Sequence, residues 1–233
     1  MSSIFGRFLT ILGLKKREAN ILVVGLDNSG KSTILNYLKR KEERTDDIVP
    51  TVGYTVERLS GIERNRTGIS LTAFDMSGQG RYRNLWEHYY EKVEGIIFVI
   101  DSTDSLRLAV ARDELEMLLK HQNIEYHSNE NTIEESSKIF ERNENEKIET
   151  ESNEIKFVQS VPILFFANKM DLKGAISTLK ISQILGLHQL SHDQWHVQSS
   201  NALTGEGIQE GIDWFLTQLA KNKSKLNKSQ TDS

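Results

Sequence analysis

The sequence predicts an α/β fold: a mostly parallel six-stranded sheet with one antiparallel edge strand and helices on both faces. Three observations lead there. The apolar run Ile21 to Val24 feeds a glycine-rich loop, Gly25 to Ser32, and then a helix face carried by Ile34, Leu35 and Leu38. Strand, loop and helix in that order make a phosphate-binding P-loop unit. Two later runs, Gly95 to Ile100 and Pro162 to Ala167, are almost wholly apolar, as strands buried on both faces of a parallel sheet are. Helical patterns alternate with these runs, which is the rhythm of a βαβ sheet.

The chain has 233 residues, 37% hydrophobic and 27% charged. That suffices for one domain with a sizeable core plus extensions. The net charge of −4 argues against nucleic acid as a main partner. There is no cysteine, which excludes disulfides, thiolate metal sites, cysteine catalysis and palmitoyl or prenyl anchors. No apolar run reaches the roughly 20 residues of a membrane span. A cytoplasmic monomer is the expectation.

The loop is G-x-x-x-x-G-K-S. Its backbone N–H groups curve around a phosphate chain, so Asp27, Asn28, Ser29 and Gly30 are expected to line the phosphates, with Thr33 just beyond. Lys31 brings positive charge to the outer phosphates, and the hydroxyl of Ser32 is a Mg²⁺ ligand.

Ahead of the loop, residues 1–17 form an expected amphipathic arm and basic linker. Ile4, Phe5, Phe8, Leu9 and Leu12 recur at helical spacing over residues 2–16, and Lys15, Lys16 and Arg17 close it. The pattern fits a reversible membrane contact and equally a helix packed on the domain. Ser2 stands where an N-myristoylation signal needs glycine.

After a polar stretch comes Pro50-Thr51-Val52-Gly53, where Thr51 is a candidate second Mg²⁺ ligand that closes only over a γ-phosphate. Residues 52–59 and 69–74 read as two strands joined by a long polar link. The second ends in D-x-x-G-Q, residues Asp75 to Gln79. Asp75 can hold Mg²⁺ through water, the N–H of Gly78 can report the γ-phosphate, and Gln79 is the candidate catalytic residue, orienting the attacking water. Gly80 to Tyr90 is rich in aromatic and basic residues. Some rings must pack inward, but its link to Gly78 favours a nucleotide-dependent partner surface.

Residues 105–120 read as a helix, and Asp101 before it as a turn and cap residue. Residues 122–157 hold ten glutamates against four Lys/Arg, which exceeds the whole net charge and predicts a solvated acidic insertion. At the end of the next strand stands Asn168-Lys169-Met170-Asp171. The carboxylate of Asp171 can accept two hydrogens from the N1 and 2-amino edge of guanine, which adenine does not offer. Asn168 braces neighbouring loops, and Lys169 lays its stem along the purine. A helix over 176–185, a strand over 195–198 and a helix over 208–220 complete the pattern. Asn201 and Ala202 sit at the last strand's end, with the Ala202 N–H expected to meet guanine O6. Residues 221–233 read as a frayed polar tail.

With these motifs in order, the chain resembles the ADP-ribosylation factor family of small GTPases. Gly25–Ser32, Pro50–Gly53, Asp75–Gln79, Asn168–Asp171 and Asn201–Leu203 match its motifs, and the similarity spans residues 11–121 and 158–220. Within the family, Phe74–Tyr90, Ile96–Asp101 and Pro162–Leu172 are similar to the Arf-like branch associated with Bardet–Biedl syndrome. The resemblance implies the P-loop small GTPase fold, GTP/GDP and Mg²⁺ as cofactors, and a GTP-bound form that recruits the BBSome coat through its switch regions. It also implies a cilium or basal-body location with peripheral membrane contact when GTP is bound. In the family, GTP shifts the hairpin between the switches and releases the amino-terminal helix. Ser2, a longer link between the hairpin strands and the 122–157 insertion depart from the family pattern.

The expected chemistry is slow GTP hydrolysis dependent on an activating protein and an exchange factor, since no arginine finger is assignable in cis. Three other readings remain open on sequence: a Golgi or endosomal Arf-like trafficking GTPase, a hydrolysis-deficient GTP-dependent interaction module, and a GTPase of translation.

Overall fold

A computed structural model of the chain describes residues 17–60, 62, 65–121, 161–189 and 195–229. The amino-terminal arm before Arg17, the 122–157 insertion and the last four residues of the tail lie outside them.

The chain runs β1 (Arg17–Val24), α1 (Lys31–Leu38), β2 (Tyr54–Leu59), β3 (Ile69–Met76), a 3₁₀ segment (Gly80–Lys92), β4 (Gly95–Asp101), α2 (Leu108–His121), β5 (Ile163–Asn168), α3 (Thr178–Ile184), β6 (Trp195–Ser199) and α4 (Ile208–Ser229). The sheet order is β2-β3-β1-β4-β5-β6. Only β2–β3 is antiparallel. The six-stranded, mostly parallel sheet with an antiparallel edge strand stands as expected.

Strand alternation divides the core into two layers. Leu22, Val24, Phe98 and Phe165 face one side, where α2, α3 and Trp86 cover them. Ile21, Val23, Val99 and Phe166 face the other, under α1 and α4. Successive side chains point to opposite faces, so a strand covered on both sides must be apolar at every position, and β4 and β5 read that way.

Two boundaries differ from expectation. Arg17 is the first residue of β1 rather than the end of a linker. Ala19 is fully buried between exposed Glu18 and Asn20, so the alternation begins before the apolar run. Arg17 donates to the Leu219 carbonyl at 3.0 Å and pairs with Glu94. At the other end, α4 runs to Ser229 instead of stopping near residue 220. Residues 212–229 contain neither glycine nor proline, so nothing in the backbone stops the helix.

Between α2, which ends at His121, and β5, the chain re-enters the described structure at Val161. Asn168 ends β5 beside the P-loop, so Ile163 lies at the strand's far edge, roughly 16 Å away at the usual rise per residue.

Candidate functional site

Loop geometry sets the phosphate end of the site. Gly25 (φ 133°), Asn28 (φ 62°) and Gly30 (φ 98°) all lie at positive φ. A side chain at Gly25 would meet the Val99 carbonyl oxygen at 2.1 Å, and one at Gly30 the Asn168 Nδ2 at 2.3 Å. Both positions therefore require glycine. Asp27, Asn28, Gly30, Lys31, Ser32 and Thr33 line a cavity of about 430 Å³, closed opposite by residues 48–51 and 77–79. Ser29 is buried beneath it and contributes its carbonyl to Asn168.

Lys31 is 6% exposed, and its ammonium donates to the carbonyls of Gly25 (3.0 Å) and Leu26 (2.8 Å). Burial pushes its pKa down to about 8, against the opposing pull of Asp75 and Asp27. Phosphate oxygens beside the ammonium would raise that value again, so phosphate binding near pH 9 must take up a proton. The expected result is nucleotide affinity that falls as pH rises above about 8, by up to about tenfold per unit. Calorimetry at pH 9 in buffers of different ionisation enthalpy reads the uptake directly.

Residues distant in sequence meet beside the loop. Ser32 Oγ donates to Asp75 Oδ2 at 2.6 Å, Thr51 Oγ1 donates to the same oxygen at 3.2 Å, and the two hydroxyls lie 3.0 Å apart. Asp75 is 2% exposed, and its other oxygen, Oδ1, has no hydrogen-bond partner. Burial raises its pKa despite the hydrogen bond from Ser32 and the charge of Lys31. A buried carboxylate with one unmet oxygen beside two hydroxyls fits a hydrated divalent cation. Among the described residues no group of three or more His, Cys, Asp or Glu could hold a metal unaided. A divalent cation placed here would need further oxygen ligands from outside the protein to complete its coordination.

Gly78 rests directly on the loop: a Cβ there would stand 2.2 Å from the Asp27 nitrogen. Gln79 lines the cavity, but its Oε1 accepts from Arg81 Nε at 3.1 Å. Arg83 Nε donates to the Gly78 carbonyl at 2.9 Å.

At the end of β5, the Asn168 side chain joins two loops. Its Nδ2 donates to the Ser29 carbonyl at 2.8 Å. Its Oδ1 accepts from the Ala202 N–H at 2.9 Å. That second bond engages the Ala202 N–H with the Asn168 side chain in this structure. Asn201 is buried and caps its own turn, accepting from the N–H groups of Leu203 and Thr204. Lys169 has φ 64°, unusual for a residue with a side chain, and its ammonium donates to Asp101 Oδ2 at 2.7 Å. Burial pulls the Asp101 pKa up, but hydrogen bonds from Lys169 and Thr103 outweigh it and hold the carboxyl below its usual value. Asp171 is exposed at the end of the motif.

Sequence reasoning missed three of these contacts. Asp101 does bond the Thr103 N–H at 2.9 Å, as a turn residue should, but it also fixes Lys169. Arg107 clamps Asp27, donating to its Oδ1 at 2.9 Å and its carbonyl at 3.3 Å. Arg83 reaches Glu114 on α2 at 2.8 Å. Each joins residues far apart in sequence, so no local pattern marks them.

The aromatic stretch splits. Trp86 and Tyr90 are buried in the core, and Trp86 Nε1 donates to the Ser77 carbonyl at 3.1 Å. Tyr89 instead stacks on Tyr54 and Phe74, with ring centroids 5.4 and 5.0 Å apart. Val52, Tyr54 and Val56 beside it are exposed. No helix among the described residues is long and apolar enough to cross a membrane.

Comparison with known proteins places the chain in a family. The model of the ADP-ribosylation factor family matches residues 5–130 and 135–219, reaching further into the acidic stretch than the motifs do. ADP-ribosylation factor-like protein 6 of Danio rerio is 43% identical over 95% of this chain and 99% of its own length. The protein of that name in Caenorhabditis elegans is 36% identical over 93% and 95%. Among solved structures, the Arl6 BBS3 small GTPase of Trypanosoma brucei with bound nucleotide analogue GppNp matches with TM-score 0.66 and 35% identity, over 88% of this chain and 99% of that one.

Proposed function

The chain belongs to the ADP-ribosylation factor family and is an Arf-like small GTPase, and on that premise we propose that it is a GTP-dependent switch that recruits the BBSome coat to membranes for ciliary protein trafficking. The observation that carries the switch is the convergence of Ser32, Thr51 and Asp75 around one unmet carboxylate oxygen. Thr51 belongs to the segment closing the phosphate cavity, so metal, γ-phosphate and segment close together.

Hydrolysis follows from the same groups. Water attacks the γ-phosphorus in line, the bond to the β,γ-bridging oxygen breaks, and GDP and phosphate leave. Ser32 and Thr51, with Asp75 through water, would hold Mg²⁺, which would supply charge neutralisation at the phosphates. Lys31 and the loop N–H groups stabilise the charge that develops. Gln79 orients the water after its amide leaves Arg81. Asp171 reads the guanine edge, while Lys169, held by Asp101, lies along the purine. Arg83 and Arg107 are committed to carboxylates and to backbone carbonyls. Turnover is therefore slow and depends on an activating protein, and reloading on an exchange factor.

The partner face is the cluster of Tyr54, Phe74 and Tyr89 with exposed Val52 and Val56, an aromatic patch next to Gly78 and Gln79 of the kind that anchors interfaces. Residues 1–16 supply the reversible membrane contact, and the protein moves between cytoplasm and the ciliary base as GTP turns over. The T. brucei relative's printed designation, BBS3, supports this assignment. Ser32→Asn removes the hydroxyl at the metal position. It is expected to abolish GTP-dependent retention of the coat in a pull-down from ciliated-cell lysate while GDP binding persists. Coat retained by Ser32→Asn as well as by wild type would refute the switch.

A further inference from the structure

We propose that Arg83 is the positioning residue of the γ-phosphate sensor: it fixes Gly78 on the phosphate loop and ties it, through Glu114, to α2. The inference rests on the reading of Gly78 as the group that reports the γ-phosphate.

One guanidinium makes every contact the role needs. Nε donates to the Gly78 carbonyl at 2.9 Å, Nη1 donates to Glu114 Oε1 at 2.8 Å, and Nη2 stands 4.0 Å from Asp27 Oδ1. Arg83 and Glu114 side chains are 17% and 12% exposed, so water competes weakly and the charge-assisted bonds are strong. The planar fork fixes the relative position of its two hydrogen-bonded partners, Gly78 and Glu114, which a lysine's single ammonium cannot do. Asp27 is in turn held by Arg107. The carbonyl held by Arg83 belongs to the peptide linking Gly78 to Gln79. One side chain therefore sets both the sensor and the entry to the water-orienting residue.

Gly78 depends on such a tether. It is pressed against the Leu26–Asp27 backbone with no room for a Cβ. Its N–H can meet a γ-phosphate only while the backbone stays there. Without Arg83, ordering Gly78 would draw on γ-phosphate binding energy, and affinity would fall. GDP has no γ-phosphate and would be unaffected. An ion pair that merely stabilises the fold makes a different prediction, because its loss weakens both nucleotides alike.

The test measures binding of GppNp and of GDP, each with Mg²⁺, to the full chain. Arg83→Gln is expected to lower GppNp affinity by about tenfold and leave GDP affinity within about twofold. Glu114→Gln keeps the helix surface and should shift the ratio in the same direction by less. The double variant should fall no further than Arg83→Gln alone, because both changes cut one connection. If Arg83→Gln does not fold, Glu114→Gln carries the test. An unchanged GppNp/GDP ratio in both variants, or equal loss of both nucleotides, overturns the role of Arg83. Wild-type chain that binds GppNp without any change at the Gly78 amide resonance overturns instead the sensor reading beneath it.

Discussion

Asp171→Asn is expected to lower GTP affinity by about a thousandfold or more. The side chain is exposed, so the substitution leaves the fold unstrained and, on the proposed base-reading role, the loss would belong to recognition. A carboxylate accepts two hydrogens, from N1 and the 2-amino group. An asparagine amide presents one acceptor and one donor, so its NH₂ is set against the guanine NH₂. Two donors facing each other in a desolvated pocket cost more than a missing bond. The same reasoning gives a gain: xanthine carries an oxygen at position 2, which accepts from the new amide while N1–H still donates. Asp171→Asn should therefore prefer XTP to GTP, and competition binding with the two triphosphates measures the reversal. A variant that kept the wild-type preference would show that the base is read elsewhere.

The other large effect belongs to Gln79. Gln79→Leu is expected to bind GTP within a few-fold of wild type yet hydrolyse it at least about a hundredfold more slowly in the presence of an activating protein. Leucine has similar volume and no polar group, so it fills the space without orienting water. In this structure Gln79 Oε1 is turned to Arg81, which is consistent with a residue placed for chemistry only once a partner arrives. Single-turnover hydrolysis with and without activator separates the two steps. Equal rates for variant and wild type with the same activator would remove Gln79 from the mechanism.

Much of the fold was legible because a strand covered on both faces admits no polar position, and β4 and β5 announce themselves. The start of β1 was not, since only Ala19 among its first four residues is buried and one buried alanine makes no pattern. The extension of α4 was missed for the opposite reason. Its lysines, asparagines and serines look like a solvated tail, yet nothing in them breaks a helix. At the site, motif order placed Ser32, Thr51 and Asp75, which span 43 residues and meet within 3.2 Å. The Arg107–Asp27 and Lys169–Asp101 pairs, 80 and 68 residues apart, exist only through sheet order. The bond from the Ala202 N–H to Asn168 had no sequence signal, because backbone groups carry no label for their partners. It follows from one side-chain amide turned to serve two loops.

The connection between His121 and Val161 also bears on how such a protein can be modified. The chain leaves α2 and returns to β5 at the sheet edge away from Asn168 and the phosphate loop. The residues proposed to meet the nucleotide, Asp75 and Asn168 among them, lie at the opposite ends of the strands. Length added between those two points changes the loop-closure entropy only logarithmically and moves no group of the site. This edge is a permissive graft point, where an inserted reporter domain or a pair of new termini would leave the guanine pocket and the switch as they are.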